Sequence, residues 1–126
     1  MSNVGLVLTE LHAAAPQAGI VELGIDNPYP AVLPAPGGDP LVGELNTALA
    51  HVAASLGAGF ANPDPVFNPA GSGGQPETGD IPTVCLLTAM CPGGTHDPAS
   101  PAADIHPTTL GYGVLAGLIG LAHLHL

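Results

Sequence analysis

The segment Asp104-Ile105-His106-Pro107-Thr108-Thr109-Leu110-Gly111-Tyr112 holds the residue types best suited to chemistry in this chain. Its histidine follows an aspartate by two positions and precedes a proline and an apolar periodic run, which predicts an imidazole in the loop just ahead of a helix. In an extended segment residues i and i+2 point to the same side, so the Asp104 carboxylate can reach the His106 ring and hold one tautomer. The other ring nitrogen is then left to face a substrate. The chemistry this offers is proton transfer.

The other candidates say less. Gly71-Ser72-Gly73-Gly74 superficially suggests a nucleophile or phosphate loop, but it precedes no helical pattern and no Lys completes a Walker motif, so it reads as a flexible loop. His123 and His125 invite a metal reading. Two positions apart on a helix they diverge by about 200°, and no Cys or acidic residue sits beside them, so no metal and no cofactor is expected. His51 lies off the centre of a helical stripe and reads as a solvent-exposed helical residue.

The elements that must position Asp104 and His106 follow from periodicity. A first helix starts at Asn3 or Thr9, with Leu6, Val7, Leu11 and Ala14 on one face, and ends before Pro16. Gly19 to Ile25 reads as a buried strand, with Glu22 its one polar interruption. The loop Asn27 to Asp39 leaves the strand's C-terminal end, where ligands of open α/β sheets gather; it reads equally as a site wall or a Pro-rich surface loop. Asp39-Pro40 opens the clearest helix, with the stripe Leu41, Val42, Leu45, Leu49, Val52, Ala53 and Leu56, and Gly57 stops it. Gly59 to Asn62 forms a second short strand, so strand, helix and strand make one right-handed parallel unit.

Pro63 to Pro82 is rich in Pro, Gly, Asn and acidic residues and reads as irregular. The irregular region extends over 63–106, with one helical turn near Val84 to Met90. After Pro107 the last helix carries Leu110, Val114, Leu118 and Leu121 on one side. Its Gly111, Gly113, Gly117 and Gly120 weaken it by roughly 1 kcal/mol each relative to Ala, while permitting close approach to a neighbour.

A chain of 126 residues with 46% hydrophobic residues supports one packed domain, 1–126; its 18 Gly and 15 Pro add large loops. Ten acidic residues stand against no Lys or Arg, a formal net charge of −10 at pH 7. No patch can neutralise phosphates, so nucleic acid is excluded as a partner, and partners should be neutral or cationic. The N-terminus lacks the pattern of a secretory signal, and the run from Leu110 to Leu126 is broken by glycines and falls short of the ~20 residues of a membrane span. Cys85 and Cys91 are the two cysteines, six apart. They read either as buried thiols of a reducing compartment or as a disulfide closing a short loop ahead of the histidine.

The run Thr83 to Cys91 followed by Asp104 to Tyr112 resembles the C-terminal end of secreted actinobacterial-type SGNH/GDSL hydrolases, which are esterases and lipases. Gly24 to Pro30 and Phe60 to Pro69 are similar to the same enzymes. The resemblance runs from about Leu11 to about Leu121 and covers only the second half of such an enzyme. Positions that often hold Arg in that family hold His12, Gly59 and Gly113 here.

This resemblance implies a partial flavodoxin-like three-layer α/β/α fold, the last βαβ unit plus the C-terminal helix. It implies a Cys85–Cys91 disulfide, an exported, extracellular protein and an ester or lipid substrate. His106 matches the family's general base, which takes the proton of a serine nucleophile. The family's acid stands three residues before the histidine, where this chain has Ala103; Asp104 stands two before, and Asp97 or a backbone carbonyl are the alternatives. The serine block, the oxyanion glycine and the Gly-x-Asn-Asp block are not found, and Ser2, Ser55, Ser72 and Ser100 lie in other contexts.

The chain is therefore expected to be the His-supplying part of a serine ester hydrolase, inactive alone. The alternative is a non-catalytic acidic interaction or assembly subunit. Either way a two-strand remnant of a sheet predicts a homo-oligomer, association with a missing N-terminal half, or marginal stability.

Overall fold

The computed structural model describes residues 2–28, 38–69, 78–91 and 104–126. The loop proposed as a site wall, the Gly71-Ser72-Gly73-Gly74 stretch, Asp97, Ser100 and Ala103 fall largely or wholly outside them. The described part is mixed α/β, built on a parallel pair of strands: β1 (Val21–Leu23), helix α2 (Gly38–Ser55) and β2 (Gly59–Ala61), preceded by α1 (Ser2–Ala14). The register is Val21 to Gly59, Glu22 to Phe60 and Leu23 to Ala61. Gly57 ends α2 at a φ of 73°, a left-handed conformation that costs a glycine least.

Strand alternation assigns the two faces of the sheet. A side chain at Gly24 would run into the Phe60 ring and Asn46 of α2, whereas one at Gly59 would meet the carbonyl of Ala122 at 3.1 Å. Ala122 belongs to the closing helix α5 (Thr109–His123). Helices α2 and α5 thus cover opposite faces of the strand pair. On the α2 side Leu8, Ala53 and Ala58 form the core, with Val4, Ile20, Val52, Leu56 and Phe60 packed around them.

Several faces differ from the expectation. In α1 the buried position is Leu8, with Val4 half-buried, while Leu6, Val7 and Leu11 are exposed. Its apolar residues spread beyond one stripe, with Leu6 set among the polar Asn3, Thr9, Glu10 and His12, so periodicity alone did not choose the buried side; contact with α2 did. In α2 the buried line runs through Asn46, Leu49 and Ala53, with Val42 and Val52 half-buried and Leu41 and Leu45 exposed. In the stretch Gly19 to Ile25, read as a buried strand, β1 covers only Val21–Leu23, and Leu23 and the following Ile25 are exposed; the strand pairs on one side only among the described residues.

In α5 Leu110 and Leu121 are exposed, and Gly111 is the buried residue, with Val114, Leu115, Leu118 and Ala122 half-buried. The region read as irregular over 63–106 carries a short helix α3 (Asp64–Phe67), a 3-10 turn (Thr78–Asp80) and helix α4 (Ile81–Leu87). The helical turn expected near Val84 to Met90 is α4, which starts earlier and ends at Leu87; proline explains why the rest reads as irregular. Pro65 and Pro82 occupy first-turn positions, where a missing N–H costs nothing, and so open these helices instead of breaking them.

Candidate functional site

Helix α4 ends where Thr88 turns outward from the helical path. The buried Thr88 hydroxyl donates to the Val84 carbonyl at 2.7 Å and accepts from the Met90 N–H at 3.3 Å. The turn that follows is closed by the Cys85–Cys91 disulfide, with Cα atoms 5.0 Å apart, so the second of the two cysteine readings holds. Beneath it Phe67, Val84, Leu87 and Met90 are buried.

The segment 104–108 is laid antiparallel along this turn, with Thr88 bridged to Pro107. Asp104 N–H donates to the Ala89 carbonyl at 3.1 Å, Ala89 N–H to the His106 carbonyl at 2.9 Å, and Thr108 N–H to the Leu87 carbonyl at 2.8 Å. Thr108 then caps α5. Its hydroxyl accepts from Gly111 N–H at 3.1 Å and donates to the Leu86 carbonyl at 3.0 Å. The approach of α5 to the turn is so close that a Cβ at Gly111 would lie far inside contact distance of the Leu87 carbonyl.

Within that frame the two residues singled out by sequence meet. His106 N–H donates to Asp104 Oδ1 at 2.9 Å, and the same oxygen is hydrogen-bonded to His106 Nδ1. The backbone N–H of His106, then its ring, hold the Asp104 carboxyl below its ordinary value, because both favour the ionised form. With Nδ1–H given to the carboxylate, Nε2 carries the lone pair and is the atom able to take a proton. The two side chains are 73% and 53% exposed, so Nε2 is reachable by an incoming molecule. Asp104, not a residue three positions before the histidine, is the acid that touches it among the described residues.

A second polar group lies at the end of β1. Asn46 Nδ2 donates to the Ile25 carbonyl at 2.7 Å while Ile25 N–H donates to Asn46 Oδ1 at 2.9 Å. Asn68 treats Asn27 in the same way, at 2.7 and 2.9 Å. Asn46 also donates to Asn62 Oδ1 at 3.1 Å. Between the two clamps stands Asp26, whose burial pushes its carboxyl up from the ordinary value, opposed by its own backbone N–H. Sequence reading missed these asparagines. Their buried positions on or beside apolar elements were the available signal, since a buried carboxamide must be paired.

An open groove of about 360 Å³ runs between α2 and β2, lined by Asn46, Thr47, Ala50, His51, Phe60 and Asn62 with Gly43. It includes no residue of the 104–108 segment.

No family model, curated protein or solved structure matches this chain. What the site can do therefore rests on its own geometry. The described residues contain no group of three His, Cys, Asp or Glu placed to hold a metal ion, and no helix among them is long and apolar enough to cross a membrane. His123 packs against Gly19 at the far end of α5. Of the serines, Ser55 donates to the Val52 carbonyl within α2 at 2.8 Å.

Proposed function

We propose that this chain is the C-terminal part of a serine ester hydrolase of the SGNH/GDSL type and supplies its general base. The observation that supports the reading is the exposed Asp104–His106 pair ahead of α5, with Nδ1 engaged by the carboxylate and Nε2 facing outward. In the reaction Nε2 takes the hydroxyl proton of a serine as that oxygen attacks the ester carbonyl. It then returns the proton to the departing alcohol oxygen. Asp104 keeps the ring in the productive tautomer and steadies the imidazolium.

The serine and the oxyanion donors come from outside the described residues, in an associated or preceding segment. A base without them does little, because the members of such a site act as a unit. The disulfide is compatible with an oxidising, extracellular location. The test is hydrolysis of a p-nitrophenyl ester by the isolated chain and by His106→Ala. Rates at the buffer background for both are expected. His106-dependent turnover by the chain alone would mean that a nucleophile resides in it and would contradict this reading.

A second reading, an acidic assembly subunit, is favoured by one observation: Leu6, Val7 and Leu11 of α1 are 60%, 56% and 47% exposed. Sedimentation equilibrium checks it, and a strict monomer would remove it.

A further inference from the structure

The contacts that shape the Asp104–His106 segment converge on a few residues. Thr108 Oγ1 reaches Leu86, Thr108 N–H reaches Leu87, Pro107 is bridged to Thr88, and Ala89 bonds both Asp104 and His106. All four anchoring residues, 86 to 89, lie inside the ring that the Cys85–Cys91 disulfide closes. Beyond Leu87 that stretch has no helix of its own, and Thr88 holds it through its side chain.

We propose that the Cys85–Cys91 disulfide is a redox-sensitive clamp that positions the Asp104–His106 pair, so that a dithiol reductant detaches the pair from its anchoring turn while the β1–α2–β2 unit stays folded. The exchange balances. One thiolate of the reductant attacks one protein sulfur and forms a mixed disulfide; the second thiol then displaces that sulfur. Cys85 and Cys91 are left as thiols and the reductant as a cyclic disulfide, with two electrons and two protons transferred. Both cysteines are half-buried, within reach of a small reductant.

Two separate regions of hydrogen bonding make the clamp local. The amides of Gly24 and Gly59 bond the Ala61 and Ile20 carbonyls, in the strand pair and outside the disulfide ring. The amides of Ala89, Asp104 and Thr108 form bonds that each involve a residue between Cys85 and Cys91. Leu86 and Leu87 belong to α4, so opening the 6-residue separation is expected to loosen the anchoring residues beyond that helix, Thr88 and Ala89, outside the strand pair.

The inference rests on the Asp104–His106 pair being the working site proposed above, but its test needs no ester. The full chain is followed by NMR oxidised, after reduction with dithiothreitol, and as the Cys85→Ser/Cys91→Ser double variant. Expected on opening the disulfide is amide exchange faster by about tenfold or more at Ala89, Asp104 and Thr108, with Gly24 and Gly59 unchanged. Unchanged exchange at Ala89, Asp104 and Thr108 would overturn the clamp, and so would loss of protection at Gly24 and Gly59 together with the turn, since opening would then be global. If ester hydrolysis fails its own test while these shifts occur, the functional reading falls and the clamp stands.

Discussion

Asn68 pairs its carboxamide with both backbone groups of Asn27, accepting from the N–H at 2.9 Å and donating to the carbonyl at 2.7 Å. A side chain thereby takes the place of a neighbouring strand. Asn46 does the same for Ile25, so β1 is continued past its last main-chain partner by two carboxamides.

The two clamping carboxamides are alike in burial, but the backbone positions they hold are not, and that difference orders their energetics. Asn27 and Asn68 are 3% and 1% exposed, whereas Ile25 is 41% exposed. Asn68→Ala removes both of these hydrogen bonds at a buried site and should cost about 2–4 kcal/mol. Asn46→Ala lets water reach Ile25 and should cost about 1–2 kcal/mol. Urea unfolding of both variants measures the order; equal losses would mean that burial is not what sets it.

Gly111 and Gly117 share α5 but not surroundings. A Cβ at Gly111 collides with the Leu87 carbonyl, a backbone atom that cannot step aside, while one at Gly117 meets open space. Gly111→Ala should destabilise by about 1–3 kcal/mol, and Gly117→Ala should stabilise by about 0.5–1 kcal/mol through helix propensity. Thermal unfolding compares them.

The same contrast shows how far the sequence could be read. Helix α2, the parallel strand pair and the Asp104–His106 contact were legible, because apolar spacing, Gly57 and a two-residue interval encode them locally. Which side of α1 or α5 is buried was not: α5 is apolar nearly all round, the apolar residues of α1 spread beyond one stripe, and the choice is made by distant partners such as Ala53 and Leu87. The caps by Thr88 and Thr108 and the four-asparagine network depend on which carbonyls come near, which single-sequence periodicity does not carry.

Asp26 gives a pH dependence of known sign. Burial raises its folded-state pKa above the unfolded value of 3.8, so the group favours folding when protonated. Its contribution is fully present below the unfolded value and is lost as pH rises through the folded one. Asp26→Asn should therefore raise the melting temperature at neutral pH and lose that advantage in acid. A variant less stable than the parent at pH 7 would show that the carboxylate is needed there.

With ten acidic residues and no Lys or Arg, charge repulsion opposes non-specific association at neutral pH. Protonation of the carboxylates removes it, and solubility should pass through a minimum near the sequence pI of about 4.4. Turbidity across about pH 3 to pH 8 reports this, and a flat profile would contradict it.

The central claim is that His106 moves a proton for a serine held elsewhere. The direct measurement joins this chain to the N-terminal half of an SGNH esterase, carrying the serine block and lacking its own histidine, and compares p-nitrophenyl ester turnover with His106 and with Ala in its place. Turnover above background that falls on the order of 10³-fold or more in the Ala form is predicted. Turnover indifferent to the residue at 106, or none from the joined halves when they are shown to associate, would contradict it.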